Sequence, residues 1–223
     1  MNVERAPLPE IVRNPAAGTV CLFAPHADDE VLGAGGTLAL HAAQGDSVSV
    51  VVAFDGRLGL PDGAEPEKRE LESRAALQHL GVHDVRFLGH PEGHAPTREE
   101  FDEAVQQVTE IVRELQPRTV YAPWAGEQHL DHHVLARIVR AALFELEYDG
   151  AAYGYEVWTP LVPTHVVDVD PVIERKRSAL AEYHSQLEEN DLLHTGLGLT
   201  AQRSLYVPGS RWAEAFRSLG LAG

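Results

Sequence analysis

Two short polar clusters carry the chemistry open to this chain. The first is Pro25-His26-Ala27-Asp28-Asp29-Glu30, and the second is His129-Leu130-Asp131-His132-His133. Adjacent carboxylates such as Asp28 and Asp29 repel each other and raise one pKa, a conflict that a divalent cation removes. Imidazole nitrogen and carboxylate oxygen are donors that zinc takes, and a catalytic zinc keeps three protein ligands and one open position. The clusters hold more than three such donors, which leaves a carboxylate and a histidine for acid–base work. Adjacent residues at a helix start point about 100° apart, so only one of His132 and His133 is expected to coordinate. Histidine is abundant throughout, with 12 in 223 residues, and it is both a common metal ligand and a proton shuttle. Each cluster also has a bland reading. Asp28 or Asp29 can simply cap a helix and favour its dipole, and the second cluster can be a solvated loop.

What decides between these readings is where the chain puts the clusters. Apolar runs at 19–24, 48–54, 85–88 and 119–122 have the character of buried parallel strands. Between and after them, helical character is expected over 31–44, 67–80, 97–115 and 134–143. Gly45 and Gly81 stand where helix-ending glycines are expected, and Thr97 with Glu100 has the spacing of a capping box. Strand–helix alternation predicts an α/β fold: a Rossmann-like, doubly wound, mostly parallel sheet with helices on both faces. In such sheets ligands bind beyond the carboxyl ends of the strands. Each cluster follows a strand and precedes a helix, so one sheet can bring them together although they are far apart in sequence. After residue 150 the pattern changes. Stretches 153–158 and 165–169 read as short strands, 171–187 as a helix with Pro171 in its first turn, 188–208 as loop with some helix, and 211–219 as a final amphipathic helix. This part is expected to be a small α+β extension over the strand ends. The whole chain, 1–223, is expected to be one domain, with a core over 15–150 and an extension over 151–223.

Composition narrows the function further. Hydrophobic residues make up 44% and charged residues 23%, as in soluble globular proteins. With 34 acidic and 18 basic residues the formal charge is −16, so neither nucleic acid nor an anionic membrane is an expected partner. Cys21 is the only cysteine; no intrachain disulfide is possible, and the residue reads as a buried hydrophobe lying too early on its strand to be a nucleophile. No G-x-S-x-G elbow is present. The first 14 residues lack the apolar core of a signal peptide and no apolar run is long enough to span a membrane, so a cytoplasmic location is expected. Gly33, Gly35 and Gly36 do not fit a phosphate-binding fingerprint and read as small residues that let a helix approach the sheet. His90 and His94 read as solvated loop residues, and Tyr121, Trp124 and Trp158 as packing or sugar-stacking aromatics near strand ends.

The two motifs, Pro-His-x-Asp-Asp-Glu at 25–30 and His-x-Asp-His at 129–132, resemble the LmbE-like or PIG-L deacetylases. Gly33-Ala34-Gly35-Gly36-Thr37-Leu38, Arg69-x-x-Glu72-x-x-x-Ala76 ending in Leu80-Gly81, Lys176 with Ala179, and His184-Ser185-Gln186 extend the likeness over most of the chain. One departure is Ala27, where many members carry proline. The resemblance implies an LmbE-like fold and a zinc-dependent hydrolase that removes the N-acetyl group of an N-acetylglucosamine-type sugar. It implies His26, Asp29 and His132 as the zinc ligands and Asp28 as the general base. His129 would polarise the amide oxygen or protonate the leaving amine, with Asp131 orienting it. Arg69 would reach the sugar, although a salt bridge to Glu72 explains it equally well; His184, on the late helix, reads as facing the substrate or supporting the site, with a packing histidine as the alternative. Zinc lowers the pKa of water from 15.7 to about 7, and Asp131 beside His129 would raise the imidazole pKa enough to keep it a proton donor near neutrality. His and carboxylate sites also take Fe²⁺ or Co²⁺. The expected partner is a saccharide or other small molecule, with a homo-oligomer, trimer or hexamer, implied by the family. Two alternatives stay open: a metal-dependent amidase acting on a thiol conjugate or other amide, and a non-catalytic sugar- or metal-binding protein of the same fold.

Overall fold

The run Val20–Ala24 is buried at every position, which a strand can satisfy only inside a sheet covered on both faces. The structure, a computed structural model, describes residues 7–60, 67–187 and 190–220. In chain order the elements are β1 (Glu10–Val12), β2 (Val20–Ala24), α1 (Asp29–Ala43), β3 (Val48–Phe54), α2 (Glu67–Leu80), β4 (Asp84–His90), α3 (Arg98–Leu115) and β5 (Thr119–Pro123). They continue with α4 (Leu130–Glu145), β6 (Ala151–Tyr155), β7 (His165–Asp168), α5 (Ile173–Leu180), α6 (His184–Leu187), α7 (Leu192–Arg203) and β8 (Ala213–Ser218).

The strands form one eight-stranded sheet in the order β1-β7-β8-β6-β5-β2-β3-β4. β2 pairs in parallel with β3 on one side and with β5 on the other. From β2 the chain winds outward through β3 to β4, then returns across the sheet to lay β5 against β2's free edge. The gap between the ends of β2 and β5 is therefore the topological switch point, where open α/β sheets bind their ligands. Val31, Leu38, Leu77 and Leu180 pack one face of the sheet, and Val105, Val108, Leu135 and Val139 pack the other. Glycine is required at two places on α1. A Cβ on Gly33 would stand 2.2 Å from the Tyr155 ring, and one on Gly36 would stand 2.7 Å from Val169, so α1 lies on the sheet at a distance only glycine allows. Thr97 and Glu100 form the expected capping box at the start of α3.

The segment after residue 150 departs from expectation in two respects. The stretch 211–219 is not a helix; its centre is β8, which runs antiparallel to both β6 and β7. The spacing of Trp212, Phe216 and Leu219 imitates a helical stripe. Burial instead includes Ala213, Glu214, Ala215 and Phe216 in succession, as in a strand covered on both sides. The strands of this segment thus extend the sheet, while the loop after β6, α6 and α7 reach over its carboxyl-end rim. The single helix expected over 171–187 is interrupted: a 3₁₀ turn at Asp170–Val172 leads into α5, and a break precedes α6. That break turns Tyr183 into the core, where its hydroxyl donates to Glu30 Oε1 at 2.6 Å. β1, which pairs with β7, has no counterpart in the expected pattern. No helix among the described residues is long and apolar enough to cross a membrane.

Candidate active site

His26 leaves β2 directly and Asp29 begins α1, so one tight strand-to-helix turn holds the first cluster. Asp28, between them, has φ 131° and ψ −33°, a conformation that L residues with a Cβ rarely adopt and that is retained where the surroundings enforce it. Two contacts enforce it here. Its N–H donates to Glu30 Oε2 at 2.8 Å, and the neighbouring Ala27 carbonyl accepts from Arg69 Nη2 at 2.9 Å. Asp28 occupies the N-cap position of α1 but its side chain makes no capping hydrogen bond, so its carboxylate is directed elsewhere. The second cluster opens α4, with His129 at the N-cap and His132 on the first turn.

Across the switch point the two turns converge. Asp29 Oδ2 lies 3.2 Å from His26 Nδ1 and 3.2 Å from His132 Nε2. These three residues form a buried group whose donor atoms lie within 4.8 Å of one another. Two donors each 2.0–2.1 Å from a tetrahedral cation stand roughly 3.3 Å apart, so the spacing fits zinc-like coordination. His132 Nε2 is buried yet has no hydrogen-bond partner, as a nitrogen reserved for a metal would be. His133 is turned away, its Nδ1 facing the Ala125 carbonyl at 3.2 Å.

Supporting carboxylates stand behind the imidazoles. Asp131 Oδ2 is 3.2 Å from His26 Nε2, while Asp131 Oδ1 accepts the Gly93 N–H at 2.9 Å. It is farther, 3.9 Å, from His129 Nδ1, which has no hydrogen-bond partner. Asp131 therefore orients His26 rather than His129, in the way carboxylates commonly fix metal-facing imidazoles. The expected rise of the His129 pKa is reversed: burial, then the imidazoles of His132 and His26, push it down against the opposing pull of Asp131. Burial lowers and Asp29 raises the basicity of His132, with the net result pushed up to about 9. For Asp28, burial and then Asp29 outweigh Arg69, and its carboxyl is pushed up to about 7. Asp29 goes the other way: burial opposes, but His132 and His26 hold it well below the usual carboxylate range.

Arg69 does not bridge to Glu72, which instead accepts the Ser185 N–H and hydroxyl at 2.9 and 2.5 Å. It is buried beside the site, its Nη1 donating to Gly56 O at 3.1 Å and its Nη2 lying 3.4 Å from Asp28 Oδ2. His184 is exposed and does not line the cavity. On so short a helix adjacent side chains diverge, and Gln186 faces inward in its stead, donating to Gly59 O at 2.9 Å. His90 is bound to Gln107 at 2.8 Å and His94 faces Glu100 at 3.6 Å. Both lie beside a separate, mostly apolar cavity between β4, α3 and α4.

Two carboxylates were not anticipated. Glu92, in the loop after β4, places Oε2 3.1 Å from His26 Nε2 and forms a second possible cation group with His26 and Asp131. Glu127 is buried with Oε2 3.6 Å from His132 Nδ1 and accepts the backbone N–H groups of Val157, Trp158 and Thr159. The only local signal was an acidic residue in a strand-end loop. A cavity of about 490 Å³ opens over the cluster, with His26, Asp28, Asp131 and His129 on its floor. The His129 ring packs 4.7 Å from that of His132 and 5.5 Å from Trp158.

Residues 21–143, more than half of the chain, match the family described as PIG-L, GlcNAc-PI de-N-acetylase. A 1D-myo-inositol 2-acetamido-2-deoxy-alpha-D-glucopyranoside deacetylase from Catenulispora acidiphila is 33% identical over 165 residues, covering 61% of this chain and 51% of its own. The chain spans about half the length of the first curated relatives it matches. Among solved structures, the conserved protein TT1542 from Thermus thermophilus superposes with a TM-score of 0.77 at 29% identity, over 90% of this chain and 94% of that one. GalB, the 4-carboxy-2-hydroxymuconate hydratase from Pseudomonas putida, gives a TM-score of 0.79 at 20% identity over 91% and 96%. That likeness is one of fold, and it shows that the scaffold alone does not select a reaction.

Proposed function

The chain belongs to the PIG-L family, and from that premise we propose that it hydrolyses the N-acetyl amide of an N-acetylglucosamine-type sugar. The observation that carries this reading is the convergence of His26 Nδ1, Asp29 Oδ2 and His132 Nε2 beside a strained Asp28 under one cavity, which His26, Asp28 and Asp29 line. In this reading those three residues hold a divalent cation, zinc, the substrate is a saccharide, and the setting is the cytoplasm. When bound, the cation supplies Lewis acidity, lowering the pKa of water and polarising the amide carbonyl.

The chain's own groups supply the remainder. Asp28, pushed up to about 7, is matched to neutral pH and takes a proton from the attacking water. Arg69 holds the Asp28 carboxylate and the preceding carbonyl in place. Since burial lowers the His129 pKa, His129 acts as a neutral N–H donor toward the oxyanion that develops at the amide carbon; one such donor typically contributes about 3–4 kcal/mol. Asp28, having gained a proton, is the group best able to pass it to the leaving amine, without which the C–N bond does not break. Asp131 and Glu127 position His26 and His132.

The test is acetate release from a panel of N-acetylglucosaminides by zinc-loaded protein, with chelator-treated protein as control. Turnover that disappears with the chelator and returns with zinc is expected. No acetate from any member of the panel would overturn the reading.

A further inference from the structure

We propose that the substrate carries, attached to its amino sugar, an uncharged apolar group, and that the cavity discriminates against an anionic group there. This inference rests on the deacetylase reading above. The cavity has two unlike sides. One is the polar floor already described, and the other is built from Leu32, Leu58, Val157, Trp158, Leu192 and Leu199. Leu58 is 76% exposed and Trp158 67% exposed, so apolar surface faces water at the mouth of a polar site. Such a cluster marks a ligand surface more often than a single exposed leucine does.

Both exposed side chains sit on pinned backbone. The Leu58 N–H donates to Glu92, and a Cβ on Gly93 would stand 2.6 Å from Leu58 Cδ1. The Trp158 N–H donates to Glu127 Oε2 at 3.3 Å, and the flanking Val157 and Thr159 N–H groups bond Glu127 Oε1. The carboxylates that face the two metal-directed imidazoles thus also set the two apolar lips. A ligand bound at the floor meets a preformed apolar surface, which lowers the ordering cost of binding.

Charge points the same way. Among the described residues, Arg69 is the only lysine or arginine lining the cavity. Its two terminal nitrogens are engaged with Gly56 O, Ala27 O and Asp28, and its Nε is buried out of reach of solvent. The lining carboxylates Asp28, Asp29, Glu92 and Asp131 formally outweigh Arg69 and a divalent cation together. An anion entering here meets the lining carboxylates and, among the described residues, no lysine or arginine other than the buried Arg69.

The apolar group can reach the sugar in two ways, as a glycosidic aglycone or as a long N-acyl chain. Amine release by the zinc-loaded full chain is to be compared for phenyl N-acetyl-α-glucosaminide, N-octanoylglucosamine and N-acetylglucosaminyl malate. We expect kcat/KM for at least one apolar compound to exceed that for the malate glycoside at least tenfold, and the better arm identifies the source. Leu58→Ser and Trp158→Ser, both at exposed positions, should each shrink that ratio, with thermal unfolding as the check on folding. Raising the salt concentration should narrow the gap by screening the malate carboxylates. A malate glycoside that equals or beats both apolar compounds overturns the inference and leaves the deacetylase reading intact. If neither N-acetyl compound is cleaved the N-acetyl reading falls, and if the octanoyl amide is inert as well the inference falls with it.

Discussion

Two buried charge clusters in this protein are built on opposite terms. In one, Lys176 of α5 donates to Glu214 Oε1 at 2.7 Å, Leu32 O at 2.9 Å and Thr200 Oγ1 at 3.0 Å. Glu214 of β8 also accepts from the N–H groups of Gly36 and Thr37 and from the Thr37 hydroxyl. In the other, at the switch point, partners are missing. Among the described residues, every buried side-chain nitrogen or oxygen lacking a partner belongs to the site except Thr109 Oγ1: Arg69 Nε, His129 Nδ1 and both ring nitrogens of His132. The first cluster fastens the C-terminal strands and helices to α1. The second keeps valences open at a cost in stability, which is what a site that must receive a ligand requires. Burial and charge are common to both clusters, so neither identifies a functional site; incomplete satisfaction does.

The sharpest way to break this contrast is Asp28→Ala. Activity should fall by roughly 10²–10⁴-fold while the protein stays as stable as wild type, because the residue's strained backbone and unmet proton affinity serve chemistry. Kinetics and thermal unfolding on one sample check both halves, and a variant that is fully active would remove Asp28 from the mechanism. The mirror experiment is Lys176→Met. Leaving Glu214 buried without its cation should cost about 3–5 kcal/mol of stability, read by urea unfolding, while the folded fraction keeps its kcat. Adding Glu214→Gln should recover part of the loss.

Metal titration gives the next largest effect. At a cation concentration about a hundred times its dissociation constant, stability should rise by about 2.7 kcal/mol. His132→Ala should abolish that rise and Lys176→Met should preserve it, with differential scanning calorimetry as the readout. The smallest effect concerns a third polar group, the satisfied one at His41. Its Nδ1 donates to Asp46 Oδ2 at 2.6 Å and its Nε2 accepts from the Tyr121 hydroxyl at 3.1 Å. Burial holds its pKa below the ordinary histidine value of 6.5, with Asp46 opposing. The unfolded chain therefore takes up this proton first as pH falls. The His41 contribution should be complete above about pH 6.5 and decline below it, and His41→Gln should flatten that part of the stability–pH curve relative to wild type.

Much of the architecture was legible in the residues. Predominantly apolar runs at 48–54 and 119–122 required a buried parallel sheet, and both polar clusters lie between a strand and the next helix, which assigns them to the carboxyl ends. The C-terminal third was less legible because Glu214 breaks the apolar pattern of β8. Its burial is tolerable only through Lys176 and the α1 amides, partners invisible in the local sequence.

The same distinction separates what each level determined. Residue type and order alone specified an α/β sheet, two converging turns and a His–carboxylate donor set, since these depend on local periodicity and on the side of the sheet where strands end. Tertiary structure decided which groups serve which. It gave Asp131 to His26 rather than to His129, Arg69 to Asp28 rather than to Glu72, and Gln186 rather than His184 to the cavity, and it introduced Glu92 and Glu127. Such pairings turn on small differences in distance between candidates, as in 3.2 against 3.9 Å for Asp131. Those distances are fixed by strand register and helix packing across the whole chain, which no short stretch of sequence contains.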